Sequence, residues 1–454
     1  MNYDLVVIGS GPSGQKGAIA AAKLGKRVAI IERTRQKIGG VCLHSGTVPS
    51  KAMREAILYL TGFDQRATYS ERYGRKSQIT MDDLRRKLED VITRERNVIH
   101  DQLDRNYIDI HQGEASFIDP HTVFINGDGR EYQISGDRFL IASGTRPARP
   151  SHIPFDRKHI FDSDEILTID EIPRSMIVIG GGVIGLEYAI MFAVLGVKVT
   201  VVDGRERLLD FCDREIIDHL MYTARGLGIS FRLGESVASV EIVREKRVVV
   251  ELESKKRIVG ETAFFSVGRE GDTARLDPEA AGLKIGKRGR IEVNSNYETS
   301  VPHIFGVGDA IGFPSLASTS MEQGRQAVNH IFRHTECDTG NIPYGLFTIP
   351  EIAMVGKTEQ QLTSECVPFE IGVARFEELA KSQIKGCGDG LLKLLFEPES
   401  GKILGVHCIG DSATEIIHIG QAVMTLGGTI DYFRQNVFNH PSMAESYKVA
   451  ALDG

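Results

Sequence analysis

The chain has 454 residues, of which 41% are hydrophobic and 25% charged, with a formal net charge of −7 and a pI near 6.0. These proportions suit a soluble globular enzyme of roughly three domains, and the acidic balance excludes the basic footprint of a nucleic-acid-binding protein. The six cysteines (42, 212, 337, 366, 387 and 408) form no Cys-x-x-Cys pair and no metal-ligand spacing, which argues against a zinc site or a disulfide framework.

No basic start or apolar export core precedes the first apolar run, Leu5–Ile8. A cytoplasmic protein with reduced thiols is therefore expected. The run leads into Gly9-x-Gly11-x-x-Gly14 and an Ala-rich helical stretch, with Gly25 where the helix should stop. A β-branched run, Val28 to Ile31, follows and ends on the acid Glu32. The pattern is strand, turn, helix, strand. Its glycines let backbone N–H groups and a helix N-terminus approach a pyrophosphate, and its acid accepts a ribose hydroxyl. Further on, a long helix is predicted to begin near Pro49-Ser50-Lys51. Residues 65–105 read as a charge-rich, solvent-facing helix with Leu84, Leu88, Val91 and Ile92 at helical spacing. Residues 107–150 alternate into short strands ending in Phe139-Leu-Ile-Ala-Ser-Gly-Thr-Arg-Pro147.

The whole landmark set then recurs 171 positions later as Gly180, Gly182, Gly185, Gly196 and Asp203, with the acid again 18 residues after the third glycine. One triplet is weak evidence, whereas two in the same context imply two dinucleotides on one polypeptide. The apolar stretch from Met176 to Val202 mimics a membrane span, but it carries Glu187, Lys198 and several glycines. A central charge is expensive in a bilayer, so no membrane association is expected. The second unit ends in Phe264-Phe-Ser-Val-Gly-Arg269, parallel to the phrase at 139–147. Another strand, Thr299 to Asp309, ends on an acid in a tight turn. From about 341 the composition changes to alternating strands followed by helices such as 412–426, without a glycine triplet.

Residues 39–51 read Gly-Gly-Val-Cys-Leu-His-Ser-Gly-Thr-Val-Pro-Ser-Lys. With both fingerprints, Ala142-Ser-Gly-Thr145, Gly308-Asp309, and His440-Pro441 with Glu445, this stretch resembles the flavoprotein pyridine nucleotide–disulfide oxidoreductases along essentially the whole chain. The resemblance implies an α/β fold with two Rossmann-like dinucleotide-binding domains and a C-terminal α+β interface domain. The corresponding divisions are 1–151 and 271–340 for FAD, 152–270 for NAD(P), and 341–454 for dimerisation. It further implies a homodimer or higher homo-oligomer. The disulfide reductases carry two cysteines in this stretch with four residues between them. Here the first is Cys42 and the second position is Thr47. A threonine hydroxyl forms neither a disulfide nor a thiolate adduct with flavin, so electrons on the flavin lack a relay to a sulfur substrate. They must leave from the flavin itself, most economically as a hydride to a second nicotinamide. The pattern is similar to the transhydrogenase branch of that family, which implies FAD-mediated exchange, NADPH + NAD⁺ ⇌ NADP⁺ + NADH, in a ping-pong sequence.

By resemblance, Gly9, Gly11, Gly14 and Glu32 take the ADP half of FAD, while Gly180, Gly182 and Gly185 take NAD(H) or NADP(H). The resemblance also implies cofactor contacts at Arg33, Gly40, Val41, Cys42, Thr47, Ser143, Gly144, Gly268, Gly308 and Ala317. It pairs Lys51 with Glu187 beside flavin N5, where a cation stabilises negative charge. It assigns Asp309 to the ribityl chain, a role compatible with that of a turn acid. His440, oriented by Glu445, handles a thiol proton in the disulfide reductases. Without the second cysteine it keeps a structural or flavin-side role, and Pro441 at a first helical position would leave it at or before a cap.

Asp203 suits a ribose 2′-OH. Arg205 and Arg207 either pair with a 2′-phosphate, which would let one site serve both nucleotides, or are solvated surface charges. Cys42 reads first as a small packing residue. It also fits a reactive thiol near a helix start, in a single-cysteine flavoenzyme. The same residues are compatible with a quinone or dye reductase and with a non-catalytic interaction subunit.

Overall fold

The computed structural model describes residues 2–63, 79–127, 129–243, 247–338 and 340–454. The chain divides into two compact units, one comprising Met1–Met53, Arg85–Arg149 and Gly268–Asp338, the other Arg54–Leu84, Pro150–Val267 and Thr339–Gly454.

The first unit is built on a five-stranded parallel sheet in the order Ile304–Gly306, Phe139–Ile141, Leu5–Ile8, Val28–Glu32, Asp109–Gln112. Side chains alternate across a strand, so Val6, Ile8, Ala29, Ile31, Phe139 and Ile141 form one buried face and Leu5, Val7, Val28, Ile30 and Leu140 the other. The first face packs on the sheet made of Asn2–Tyr3, Arg130–Gly136, Thr122–Gly127 and Glu114–Asp119. The second packs on helices Pro12–Lys23 and Ala317–Arg333. These helices cross at Gly17 and Gly324, where neither has a side chain; a Cβ on Gly324 would stand 2.1 Å from the Ser13 carbonyl oxygen.

The second unit repeats the plan. Its parallel sheet runs Ile160–Asp162, Thr262–Phe265, Ser175–Ile179, Lys198–Asp203, Ser230–Leu233. The membrane-like stretch resolves into strand Ser175–Ile179, helix Val183–Val194 and strand Lys198–Asp203; the helix is buried from Gly185 to Val194, which explains a surface apolar all round. No described helix is long and apolar enough to cross a membrane. An antiparallel three-stranded sheet (Val237–Val243, Arg247–Leu252, Arg257–Gly260) adjoins it in sequence. The C-terminal part is a five-stranded antiparallel sheet, Tyr344–Leu346, Glu351–Gly356, Ile403–Gly410, Leu391–Phe396, Glu370–Arg375, packed against helices Ala413–Thr425 and Glu445–Asp453.

The helix predicted near Pro49 begins two residues earlier and runs Thr47–Thr61. The charge-rich helix spans Met81–Asp104 with Leu84 and Leu88 buried, and residues 65–78 of that prediction lie outside the described residues. Pro441 does not open a helix. The last helix starts at Glu445, and His440–Pro441 forms a cis peptide in the turn before it.

A buried charge cluster joins the start of helix Arg214–Gly226 to the C-terminal sheet within this unit. Lys393 is 1% exposed and donates from Nζ to Asp213 Oδ1 (3.2 Å), Glu215 Oε2 (3.0 Å) and Glu359 Oε2 (2.6 Å). Asp213 is fully buried and also caps helix Arg214–Gly226, accepting from the Glu215 amide. Burial alone would lower the lysine's pKa, but the surrounding carboxylates raise it, so the ammonium stays charged. Replacing Lys393 with alanine leaves Asp213 buried without its counter-charge. Denaturant unfolding should then report a loss of about 3–5 kcal/mol, and a loss below about 1 kcal/mol, the range of an exposed pair, would contradict the cluster's role.

Candidate dinucleotide sites

Both glycine turns lie at the carboxyl end of the central strand of their parallel sheet, the place where open α/β sheets hold ligands. Their geometry is nearly identical. Gly9 and Gly180 have φ of 104° and 101°, and both donate 2.9 Å bonds back to the next strand, to the carbonyls of Ile31 and Val202. A Cβ at Gly9 would stand 2.3 Å from the Ala142 oxygen; at Gly180, 2.5 Å from the Ser266 oxygen. A Cβ at Gly14 or Gly185 would stand 2.0 or 1.9 Å from the carbonyl of the first glycine of its own triplet. Four of these six glycines are thus required by the protein's own packing.

The middle glycines are different. Gly11 (φ −64°, ψ 179°) and Gly182 (φ −76°, ψ −176°) are extended backbone open to any residue, and a Cβ on either would meet nothing within 4 Å. Each also stands at the cap of a helix whose first turn receives no side-chain capping bond. Helix N–H groups without a side-chain cap, beside a backbone that a ligand can approach closely, are the chemistry a pyrophosphate needs. The residues fit a dinucleotide in both units.

Each acid is clasped to its own turn. Glu32 Oε2 accepts from Ser10 Oγ (2.5 Å) and Ser10 N (3.3 Å), and Oε1 from Thr34 N (3.3 Å). Asp203 Oδ2 accepts from Gly181 N (2.7 Å) and Arg205 Nη2 (2.8 Å), and Oδ1 from Arg205 N (2.8 Å) and Nε (2.9 Å). Burial opposes the Asp203 charge, yet Arg205 and these amides hold its pKa below the ordinary carboxylate value. Arg33 pairs instead with Asp272 at 3.4 Å, and Arg207 is exposed without a polar partner among the described residues.

Around the first turn other predicted residues converge. A Cβ on Gly40 (φ 64°) would stand 3.0 Å from Gly11 Cα, and one on Gly308 (φ 72°) 2.6 Å from Ser13 Oγ. Among the described residues the buried Ser143 hydroxyl has no hydrogen-bond partner, and Gly144 beside it faces open space. Ala317 opens helix Ala317–Arg333 without a side-chain cap. Asp309, in the turn Gly308–Ile311, receives Ser320 Oγ at 3.5 Å. Burial raises its pKa despite the Arg269 guanidinium, the Ser320 hydroxyl and the Thr145 hydroxyl. Arg269 is itself tied to Thr145, through Nε to Oγ1 (2.8 Å) and Nη2 to the carbonyl (2.9 Å).

Thr47 is exposed, as is Val41, in the segment around the short helix Gly40–His44. Burial pushes the Cys42 thiol up, an effect the hydrogen bond with Thr47 only partly offsets. That direction favours the thiol over the thiolate at this position. Lys51 lies in the first unit and Glu187 in the second, where it is 4% exposed and its Oε1 accepts the Phe347 amide at 2.9 Å. Gly268, with φ 120°, follows directly on the Thr262–Phe265 strand and Ser266–Val267. His440 Nδ1 lies 3.0 and 2.9 Å from the two Glu445 oxygens, so the pair forms through the turn at Pro441.

Sequence reasoning missed Ser10, Arg269, Gln323, whose Oε1 accepts the Gly308 amide at 2.8 Å, and the Phe347 amide. Ser10 lies inside the first glycine fingerprint and Gln323 in helix Ala317–Arg333, and neither residue type marks a site by itself. Arg269 and Phe347 act across the fold and leave no local signal.

The middle glycines separate folding from binding. Gly11→Ala should leave the apoprotein's melting temperature unchanged or slightly raised while weakening FAD at least about tenfold, roughly 1.4 kcal/mol. Gly182→Ala should keep FAD and weaken nicotinamide nucleotides alike, whereas Gly14→Ala should fail to fold. Unaltered FAD affinity in Gly11→Ala would remove the pyrophosphate from that turn. For Asp309 the sign is the reverse of a salt-bridged acid. Its folded pKa lies above the unfolded value, so ionisation costs stability as pH rises past about 4. Asp309→Asn should therefore stabilise the apoprotein at neutral pH, match it below pH 3.8, and retain less FAD on gel filtration.

The profile of the pyridine nucleotide-disulphide oxidoreductases matches residues 3–324, and that of their dimerisation domain matches residues 342–451. A soluble pyridine nucleotide transhydrogenase of Mycobacterium bovis is 52% identical over 454 residues, covering 99% of this chain and 97% of its own. A transhydrogenase of the same name from Colwellia psychrerythraea is 45% identical over 459 residues, covering 100% and 98%. Among solved structures, the HOCl-induced flavoprotein disulfide reductase RclA of Escherichia coli superimposes with a TM-score of 0.88 at 28% identity, covering 99% of each chain. LpdA of Mycobacterium tuberculosis shares the fold at a TM-score of 0.90 and 24% identity, again over 99% of both. With both fingerprints intact in their parallel sheets, the chain belongs to the pyridine nucleotide-disulphide oxidoreductase family.

Proposed function

We propose that this chain is an FAD-dependent transhydrogenase that exchanges hydride between NADPH and NAD⁺ by a ping-pong sequence, one nucleotide leaving before the other binds at the same place. What supports the reading is Thr47 at the position where the resemblance places a second redox cysteine, beside a Cys42 thiol that burial pushes up. Relatives between 43% and 52% identical over the full length bear the name soluble pyridine nucleotide transhydrogenase. When bound, FAD supplies the chemistry by accepting a hydride from NADPH and returning it to NAD⁺, so that NADP⁺ and NADH are released without net proton uptake.

The chain's residues bind and orient. In this reading the first turn with Gly11 cradles the FAD pyrophosphate, Glu32 takes the adenosine ribose, Ser143 gains the partner its buried hydroxyl lacks, and Asp309 accepts a ribityl hydroxyl. Lys51 supplies positive charge at the flavin ring. The second turn takes the nicotinamide dinucleotide, with Asp203, Arg205 and Arg207 around its adenosine ribose. Glu187, held by the Phe347 amide, serves as an oriented carboxylate. His440 and Glu445 form a retained structural pair, since no dithiol remains to deprotonate. Residues 1–151 and 271–340 form the FAD domain, 152–270 the nucleotide domain, and 341–454 the interface of a cytoplasmic homodimer or larger homo-oligomer.

The purified protein should be yellow, with one FAD per chain. One equivalent of NADPH should bleach it without a long-wavelength thiolate charge-transfer band, and NAD⁺ should restore the colour. Cys42→Ser should retain most of the exchange rate. Stopped-flow absorbance checks both. A charge-transfer band, comparable turnover of lipoamide or glutathione disulfide, or near-complete loss in Cys42→Ser would overturn the reading.

A further inference from the structure

The two copies of the fingerprint differ in how the acid is occupied. In the first, Thr34 stands two residues after Glu32 and contributes its amide alone to the carboxylate, at 3.3 Å. In the second, the equivalent residue is Arg205, which contributes its amide and also closes a two-point fork on Asp203, Nε at 2.9 Å and Nη2 at 2.8 Å. With the Gly181 amide at 2.7 Å, Asp203 accepts four hydrogen bonds. A carboxylate offers about four acceptor positions, so Asp203 has none to spare for a ribose. Two of its donors are backbone amides of the turn and cannot leave. The other two belong to a single side chain that is 48% exposed and can.

We propose that this clasp is the specificity element of the second site: closed, it reads a 2′-phosphate, and open, it reads a 2′-hydroxyl. The proposal rests on the reading of that site as the nicotinamide dinucleotide site. When the clasp is closed, Arg205 neutralises Asp203 and keeps three of its five N–H donors free, enough to bond a phosphate that a bare carboxylate would repel. When it is open, Asp203 keeps its two amide donors and gains two acceptor positions on one side, which suits a vicinal ribose diol. NADP(H) thus binds to the arrangement present in the structure, whereas NAD(H) must first displace Arg205. The adenosine ribose of FAD carries no 2′-phosphate, which matches the threonine in the first copy. The two nucleotides therefore respond oppositely to loss of the arginine, unlike a site in which Arg205 merely adds affinity for one of them.

The test uses the FAD-loaded protein and two probes that lack the nicotinamide, 2′,5′-ADP and ADP-ribose, titrated by calorimetry. Arg205→Thr, which recreates the first copy's residue, should weaken 2′,5′-ADP about ten- to a hundredfold, the value of one charge-assisted phosphate contact. It should tighten ADP-ribose, since no arginine then has to be displaced, and unchanged ADP-ribose would mean that Arg205 only adds affinity for the phosphate. Arg205→Lys keeps the charge but cannot form the fork. It should hold 2′,5′-ADP between wild type and Arg205→Thr, and so controls for a folding defect. Asp203→Asn should weaken ADP-ribose while sparing 2′,5′-ADP. Equal weakening of both probes in Arg205→Thr, or unchanged 2′,5′-ADP, would overturn the clasp. If neither probe bound the wild-type protein, the nucleotide reading of the site would fail first, and the clasp with it.

Discussion

Backbone-to-backbone closure of the glycine turns is the constraint from which the rest of each unit follows. Where the third glycine's missing Cβ would stand, the first glycine's carbonyl oxygen lies 2.0 Å away in one turn and 1.9 Å in the other. No side chain of any size fits there. The helix can therefore start only directly over the end of its strand, with Gly11 or Gly182 at its N-terminus beside open space. The same closure brings the following strand to the first glycine's amide, and this sets the acid at its end beside the turn. A second loop, Ala142–Ser143 or Ser266–Val267, then packs on the first glycine. The positions of helix, acid and flanking loop are consequences of one steric restriction, which is why two copies separated by 171 positions repeat the same contacts.

On that shared frame the chemistry is differentiated by a handful of side chains. Glu32 is held by a serine hydroxyl and backbone amides, Asp203 by an arginine fork. The first leaves a carboxylate with only neutral donors, and the second neutralises it. Asp309 is penalised for its charge by burial, with Arg269 as partial compensation. Burial likewise pushes the Cys42 thiol up, with the Thr47 hydrogen bond as partial compensation. Each of these states depends on how much water the fold removes from the group and on what donors it supplies in exchange.

The C-terminal sheet is coupled to helix Arg214–Gly226 of its unit by charge. Lys393, buried among Asp213, Glu215 and Glu359, is matched by a second contact on the same helix, where His219 Nε2 lies 2.5 Å from Asp389 and Thr223 donates to its other oxygen at 2.9 Å. The segment just after residue 346 adds the Phe347 amide to Glu187 and the Thr348 carbonyl to Arg54 Nε at 3.1 Å. Glu187 on the nucleotide helix and Arg54 are thus both oriented by the C-terminal part of the chain.

The sequence by itself determined the twin dinucleotide units, because glycine spacing, β-branched runs and the terminal acid are local steric requirements written within a short stretch of chain. It also determined that position 47 carries a hydroxyl, which cannot form a disulfide with Cys42 in any fold. Strand and helix order could be read from side-chain periodicity, down to a displacement of two residues at Thr47. The cap expected at Pro441 failed because proline at a turn serves other backbone geometries as well as a helix start. Tertiary structure alone decided which donors reach each acid, for Thr145 reaches Asp309 and the Phe347 amide reaches Glu187 from distant parts of the chain. It also decided that the middle glycines face open space, and that Arg205 folds back on Asp203 instead of extending into solvent. Distance along the chain carries no information about those contacts; the packing of sheets and helices does, by fixing which groups lose their water together.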